Sequence, residues 1–278
     1  MTDPYGVRLT KVVAERGPLC VGIDPHPGLL DDWGLPRTPA GLERMARGMV
    51  EALGSQVAVF KPQSAFFETY GSAGIAALER TLADIAAAGA LSLLDVKRGD
   101  MSTSMAAYAA AYLADGALLA ADAITVSPYL GFGSLAGAID LALRHGRGVY
   151  VLALTSNPEG PQFQHARVED GRMVGQVVVE EASRYNPTGE PGSVGVVVGA
   201  TIGRTGVDFS TLNGSILAPG IGAQGATAAD LAEVFGPARS TVLPSASREV
   251  MSAGPDPAAL RTTAARIRGE MEAVLAVG

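Results

Sequence analysis

The chain has 278 residues, 47% hydrophobic and 18% charged, which supports one large core or two small ones and excludes a disordered tail protein. Its net charge of −7 and pI of about 5.0 exclude a general nucleic-acid binder, so an anionic ligand needs a local basic site. The lone cysteine, Cys20, excludes an intrachain disulfide.

Cys20 sits in the apolar run PLCVGID and reads as a small core residue. His26, His145 and His165 lack paired ligand spacing, and there is no CxxC or HExxH, so no metal site is expected. No apolar stretch reaches the ~18 residues of a membrane span. The N-terminus, MTDPYGVRLTKVV, lacks a signal-peptide core. The expectation is a soluble cytoplasmic protein.

In chain order, short apolar runs fall at 19–23, 57–60, 90–94, 121–126, 149–154, 194–198, 215–218 and 241–243. They are near-continuous rather than alternating, which predicts parallel strands covered on both faces. The intervening segments mostly carry a helical period. Ile75, Leu78, Leu82 and Ile85 share one face of a helix over 71–88. Met105, Ala109 and Tyr112 share one over 102–115, with Ser102 to Ser104 as candidate caps. Leu135, Ile139 and Leu143 line up over 133–146. Leu260, Ala264, Ile267, Met271 and Val274 line up over 256–276. The helix after the sixth strand is weak, since GRTGVDFSTL is short and contains glycine. Residues 157–193 are the longest interruption, with Pro/Gly-rich patches around a helix near 171–185.

Eight strand–helix units in about 250 residues predict a (β/α)8 TIM barrel. It is read as one domain over 1–278 with an excursion at about 157–193. A doubly wound open sheet is the alternative, but no GxGxxG follows the first strand. In a barrel, functional groups collect at the C-terminal strand ends. Those ends carry Asp24, Lys61, Asp95 with Lys97, Ser127, and Thr155 with Ser156. Asp95 and Lys97 are two apart, so on a strand they point to one side. Asp100 follows at Gly99, where the chain can turn. Singly, Asp24 reads as a turn cap, Lys61 as a snorkelling lysine and the third strand's charges as a surface salt bridge. Charges gathered at one rim are hard to explain by stability alone, because buried charges cost several kcal/mol unless paired. The last two ends run into PGIGAQG, residues 219–225, and SASR, residues 245–248. Glycines there admit an anion to backbone N–H groups, and Arg248 adds a fork suited to phosphate.

The run Asp95-Val-Lys97-Arg-Gly-Asp100-Met-Ser-Thr-Ser104 resembles the DxKxxDxxxT signature of the orotidine 5′-phosphate decarboxylases. GIDP at 22–25, Lys61, PYLG at 128–131, PGIGAQG and SASR follow in that family's order, so the resemblance covers roughly residues 18–250. It is strongest to the longer bacterial subfamily. Ser104 stands where the family usually has threonine, keeping the hydroxyl. Ser127 stands where that subfamily often has asparagine.

The resemblance implies decarboxylation of orotidine 5′-phosphate to uridine 5′-phosphate in de novo pyrimidine synthesis, without metal or organic cofactor. Lys97 is implied as proton source, with Asp95, Asp100 and Lys61 in a charged catalytic network. Asp24 and Lys61 are implied to contact ribose hydroxyls, and Ser127 and Gln224 to bracket the pyrimidine. Arg248 and Gln224, helped by Gly222 and Gly225, are implied to bind phosphate, with the loop at 220–228 closing over it. Asp100 and Ser104 are implied to reach into a partner's site, which requires a homodimer. Three rival readings are weighed beside this one. A magnesium-dependent sugar-phosphate decarboxylase or epimerase could use Asp24, Asp95 and Asp100 for the ion, although the lysines already supply positive charge. A Schiff-base aldolase would want a lysine of depressed pKa. A non-catalytic phosphate-ligand binder on the same barrel is the third.

Overall fold

In the computed structural model, residues 2–203, 205–221 and 228–275 are described. Eight parallel strands close into a barrel in sequential order, β1 pairing with both β2 and β8. They are β1 (Cys20–Ile23), β2 (Val59–Pro62), β3 (Leu91–Arg98), β4 (Ala123–Val126), β5 (Gly148–Leu154), β6 (Gly192–Val198), β7 (Gly214–Pro219) and β8 (Val242–Ala246). Every predicted run overlaps one of them, so the expected TIM barrel is the fold.

The helices before β3 are α1 (Tyr5–Arg16), α2 (Pro27–Asp32), α3 (Pro39–Leu53), α4 (Ser64–Glu68) and α5 (Gly71–Ala87). Those that follow are α6 (Ser102–Leu113), α7 (Ala136–Arg144), α8 (Pro161–Gln164), α9 (Val174–Ser183), α10 (Ala228–Phe235), α11 (Arg248–Met251) and α12 (Pro257–Leu275). Local chemistry explains their ends. Pro39 opens α3 at a position where its missing N–H costs nothing, and the Thr38 hydroxyl accepts from Gly41 N–H. Along α12, Leu260, Ala264, Ile267 and Met271 are buried at helical spacing, as the period predicts.

Three expectations are corrected. No helix forms among the described residues between β6 and β7, where glycines and a turn occupy the link. Ser102 to Ser104 do not cap α6: Met101 is the capping residue and no side chain bonds the helix end. The segment before Ala136 is a tight 3-10 turn, Phe132–Leu135, so α7 starts later than the period suggests. No described helix is long and apolar enough to cross a membrane.

Apolar residues form two clusters. The larger fills the space between strands and helices, with Val21, Ile23, Phe60 and Ile124 facing outward from the barrel. The smaller fills the barrel interior with Cys20, Val59, Leu93, Tyr150, Val197, Leu217 and Leu243. Helix α1 stoppers the N-terminal end of that interior. Tyr5 is 1% exposed, and its hydroxyl meets the Tyr150 hydroxyl at 3.1 Å. Gly148 makes room, since a Cβ there would lie 2.4 Å from the Tyr5 ring. With this end plugged, the barrel interior faces solvent at the opposite mouth.

Candidate active site

Strand alternation decides what faces the mouth. On β2 the inward series Val59, Lys61 continues to Gln63; on β3 it is Leu93, Asp95, Lys97; on β4 it is Ala123, Thr125. The apolar first members sit in the barrel core, and the polar later ones line a cavity of about 310 Å³. β1 adds Asp24 to that cavity, and the end of β8 adds Ser245, Ser247 and Arg248. Gly22 admits this last turn, because a Cβ there would stand 2.6 Å from Ser247 Cβ.

β3 is not regular where the charges sit. Its register against β4 shifts between Leu94 and Arg98, and Lys97 has φ of 46°, in the left-handed region. A lysine there stores strain of roughly 1–3 kcal/mol, which the surroundings must hold in place. Thr125 does so: its Oγ1 accepts Lys97 N–H at 2.9 Å. The same oxygen donates to Asp95 Oδ1 at 2.7 Å.

Asp95 is the centre of the arrangement. Lys97 Nζ donates to Oδ1 at 2.7 Å and Lys61 Nζ to Oδ2 at 3.2 Å. The Gln63 amide nitrogen, in the orientation that satisfies both its ends, donates to Oδ2 at 3.1 Å. With Thr125, these donors occupy the lone-pair sites of both carboxylate oxygens. Burial alone would push the Asp95 carboxyl up, but Lys61 and Lys97 outweigh it and hold it at about 2. Burial alone would likewise favour a neutral Lys61, yet Asp95 and Asp24 raise its pKa above the ordinary lysine value. Asp24 contrasts with Asp95: its Oδ1 is buried without a hydrogen-bond partner. The site therefore holds one saturated carboxylate and one with spare acceptor capacity.

The remaining wall is apolar where β5 to β7 meet it, through Leu152, Leu154, Val197 and Leu217. Gly220, with φ of 113°, turns the chain beside Arg248. A charged end, an apolar side and an arginine in one hollow suit a flat ring carrying an anionic tail.

Asp24, Lys61, Asp95, Lys97 and Arg248 thus converge. Asp100, Ser104 and Ser127 do not line the cavity of a single chain. Asp100 Oδ1 accepts Met101 N–H at 2.8 Å, and Ser104 is exposed on α6. Ser127 donates its N–H to Arg98 O and packs on Gly99. Gln224, Gly222 and Gly225 lie outside the described residues. Gln63 and Thr125 are the site residues that the strand-end reading passes over. Counting by two from Lys61 and from Ala123 reaches both of them. Among the described residues, no group of three or more His, Cys, Asp or Glu side chains could hold a metal ion.

A family model described as orotidine 5′-phosphate decarboxylase / HUMPS matches residues 17–263. The chain is 60% identical over 274 residues to an orotidine 5′-phosphate decarboxylase of Salinispora arenicola, covering 98% of this chain and 99% of that one. It is 58% identical to one of Salinispora tropica over the same shares of both chains. A crystal structure from Streptomyces avermitilis superposes with a TM-score of 0.96 at 55% identity, over 99% of this chain and 97% of that one. Matches of this identity run nearly end to end along both chains, and the chain belongs to the orotidine 5′-phosphate decarboxylase / HUMPS family.

Proposed function

We propose that the chain decarboxylates orotidine 5′-phosphate to uridine 5′-phosphate at Lys97, with no metal ion or organic cofactor, in cytoplasmic pyrimidine synthesis. The carrying observation is Asp95, ionised and saturated between two lysines in the cavity that ends at Arg248. The phosphate seats at Arg248, which matches it with a planar fork. Ribose hydroxyls donate to Asp24, whose Oδ1 has the capacity to accept them. This binding places the substrate carboxylate against Asp95.

Two carboxylates then crowd one site, and relief comes when CO₂ departs. The bond from the ring carbon to the carboxylate breaks with its electron pair left on carbon. The Lys97 ammonium stabilises that charge and gives it a proton, leaving an amine that solvent reprotonates. The remote phosphate contributes binding energy that holds this geometry.

The rivals fare worse. The curated relatives carry the decarboxylase name, not that of a magnesium enzyme or a binding protein. A Schiff-base lysine needs a lowered pKa, and that of Lys61 is raised.

A homodimer completes the reading. Met101, Tyr129 and Leu130 are 61%, 75% and 48% exposed near the ends of β3 and β4. A second copy covering them would bring the partner's Asp100 and the partner's Ser104 toward the cavity, from which this chain's own copies stand apart.

The test is loss of ultraviolet absorbance when orotidine 5′-phosphate is added in EDTA. Turnover is expected to persist. Strict metal dependence would overturn the reading, as would a Lys97→Ala variant that still turns over.

A further inference from the structure

The excursion after β5 is ordered rather than slack. Gly160 N–H bonds Asn157 O at 3.1 Å, α8 follows, and a narrow hairpin bridged between Arg167 and Met173 returns the chain to α9. Arg172 fastens the hairpin through ion pairs to Asp170 and to Glu180 on α9.

Gln164, the last residue of α8, is where this segment meets the cavity. Its Oε1 accepts Thr155 N–H at 2.8 Å, and its Nε2 donates to Thr155 Oγ1 at 2.7 Å. That hydroxyl donates onward to Asn157 Oδ1 at 2.6 Å, and Asn157 Nδ2 donates to Glu159 at 2.9 Å. Thr155 is the first residue past β5 and lines the cavity with Ser156. Chain leaving a strand end is ordinarily the loosest part of such a wall. Here one amide holds both polar groups of Thr155 that face it.

Two glycines make the fit possible. A Cβ at Gly160 would lie 2.9 Å from Gln164 Oε1 and 3.0 Å from Thr155 Oγ1. A Cβ at Gly199 would lie 3.0 Å from Ser156 N. The Thr155–Ser156 wall is therefore set between the excursion on one side and the end of β6 on the other.

We propose that Gln164 is a positioning residue, fixing the Thr155–Ser156 wall of the cavity so that it meets the base end of the substrate in one geometry. This deepens the function proposed above and rests on it. The Thr155 hydroxyl has committed its proton to Asn157, so it anchors the wall rather than donating to a ligand. The ribose and phosphate partners come from β1, β2 and the turn after β8, elements that Gln164 does not touch. Its influence falls on the base end of the substrate.

The experiment measures kcat and KM for orotidine 5′-phosphate, with inhibition by uridine 5′-phosphate and by ribose 5-phosphate, in Gln164→Leu, Gln164→Glu and Gly160→Ala. Gln164→Leu is expected to lose about tenfold to a hundredfold in kcat/KM, the scale of a roughly 1 Å misplacement. Its inhibition by uridine 5′-phosphate weakens, whereas inhibition by ribose 5-phosphate is unchanged. Gln164→Glu keeps the acceptor for Thr155 N–H and recovers part of the loss. Gly160→Ala reproduces the pattern by displacing the amide, since Gly160 has an ordinary helical φ of −51° and tolerates a methyl group in its backbone. Unchanged kcat/KM in Gln164→Leu and Gly160→Ala, or ribose 5-phosphate inhibition weakening in step with the nucleotide, would overturn the assignment. A wild-type chain that fails to consume the substrate is a separate result and would overturn the function itself.

Discussion

Lys61 and Asp95 form an ion pair of 3.2 Å inside the barrel mouth, with side chains 7% and 8% exposed. Two charges so far from water are costly unless each is fully paired. The pairing here fixes how stability depends on pH. The Asp95 carboxyl falls from an ordinary 3.8 to about 2, against burial and because of Lys61 and Lys97. As pH drops, the unfolded chain therefore takes up this proton first. The contribution, about 2 kcal/mol, is present above the ordinary carboxyl pKa and lost from about pH 4 down to about pH 2. Lys61 acts in the opposite sense, its share present below the ordinary lysine pKa and lost only in strong alkali. Asp95→Asn is expected to show a lower urea midpoint at neutral pH and a shallower decline between pH 4 and pH 2. Parallel acid limbs in the two proteins would refute this origin.

Thr125 joins Lys97 N–H to the Asp95 carboxylate through one hydroxyl. Thr125→Val keeps the shape and removes both bonds. The freed backbone N–H and the carboxylate together lose about 1–3 kcal/mol of support. Because the strained Lys97 backbone is what relaxes, kcat is expected to fall about tenfold or more with KM little changed. Thr125→Ser should restore most of it. A KM effect without a kcat effect would place Thr125 in binding instead.

Tyr5 tests the other end of the barrel. Its ring fills the base of the interior, and Tyr150 beside it also bonds the Ser215 hydroxyl. Tyr5→Ala leaves a cavity and is expected to cost about 3–5 kcal/mol. At 25 °C, kcat/KM should match wild type, since the mouth is formed by the opposite strand ends. A loss of activity in protein that remains folded would show that the two ends are coupled.

Much of this was legible in sequence because burial writes itself as apolar runs. All eight strands announced themselves in that way. Lys61, Asp95 and Lys97 were legible because period two and a polar burst coincide at strand ends. Other features left no such trace. The left-handed φ at Lys97 depends on a register shift against β4, a relation between strands. Thr125 is a common strand residue, and only its partners give it meaning. Ser127 looked like the end of strand four, yet the chain turns outward after Val126 and leaves Thr125 as the last side chain facing the cavity. Helix α1 carries Tyr5, Leu9 and Val12 at helical spacing, a pattern plain only beside the open barrel base it fills.

Asp24 offers a test of whether the site sacrifices stability for binding. Its Oδ1 is buried with no donor, an arrangement that costs the folded state and benefits a ligand bringing a hydroxyl. Asp24→Asn replaces this under-bonded carboxylate with a neutral amide. Its melting temperature is expected to equal or exceed that of wild type. Affinity for uridine 5′-phosphate should fall about tenfold to a hundredfold, the scale of a hydrogen bond to a charged group. A variant that loses stability and keeps affinity would assign Asp24 to the fold.

The proposal that two subunits share each site makes the most restrictive prediction. Within one chain, Asp100 bonds its neighbour's N–H and stays out of the cavity. If a partner subunit supplies it, Lys97→Ala and Asp100→Ala are each inactive alone. Unfolded together and refolded, the two variants should assort at random. About half of the dimers are then mixed, and each mixed dimer has one site with both residues intact and one with neither. Recovered activity therefore approaches roughly a quarter of wild type. Two variants acting within separate chains could not complement at all, so zero recovery from demonstrably mixed dimers would confine Asp100 to its own subunit. Activity in Asp100→Ala alone would remove it from the reaction. Only complementation from two dead parents fits a carboxylate that crosses between subunits.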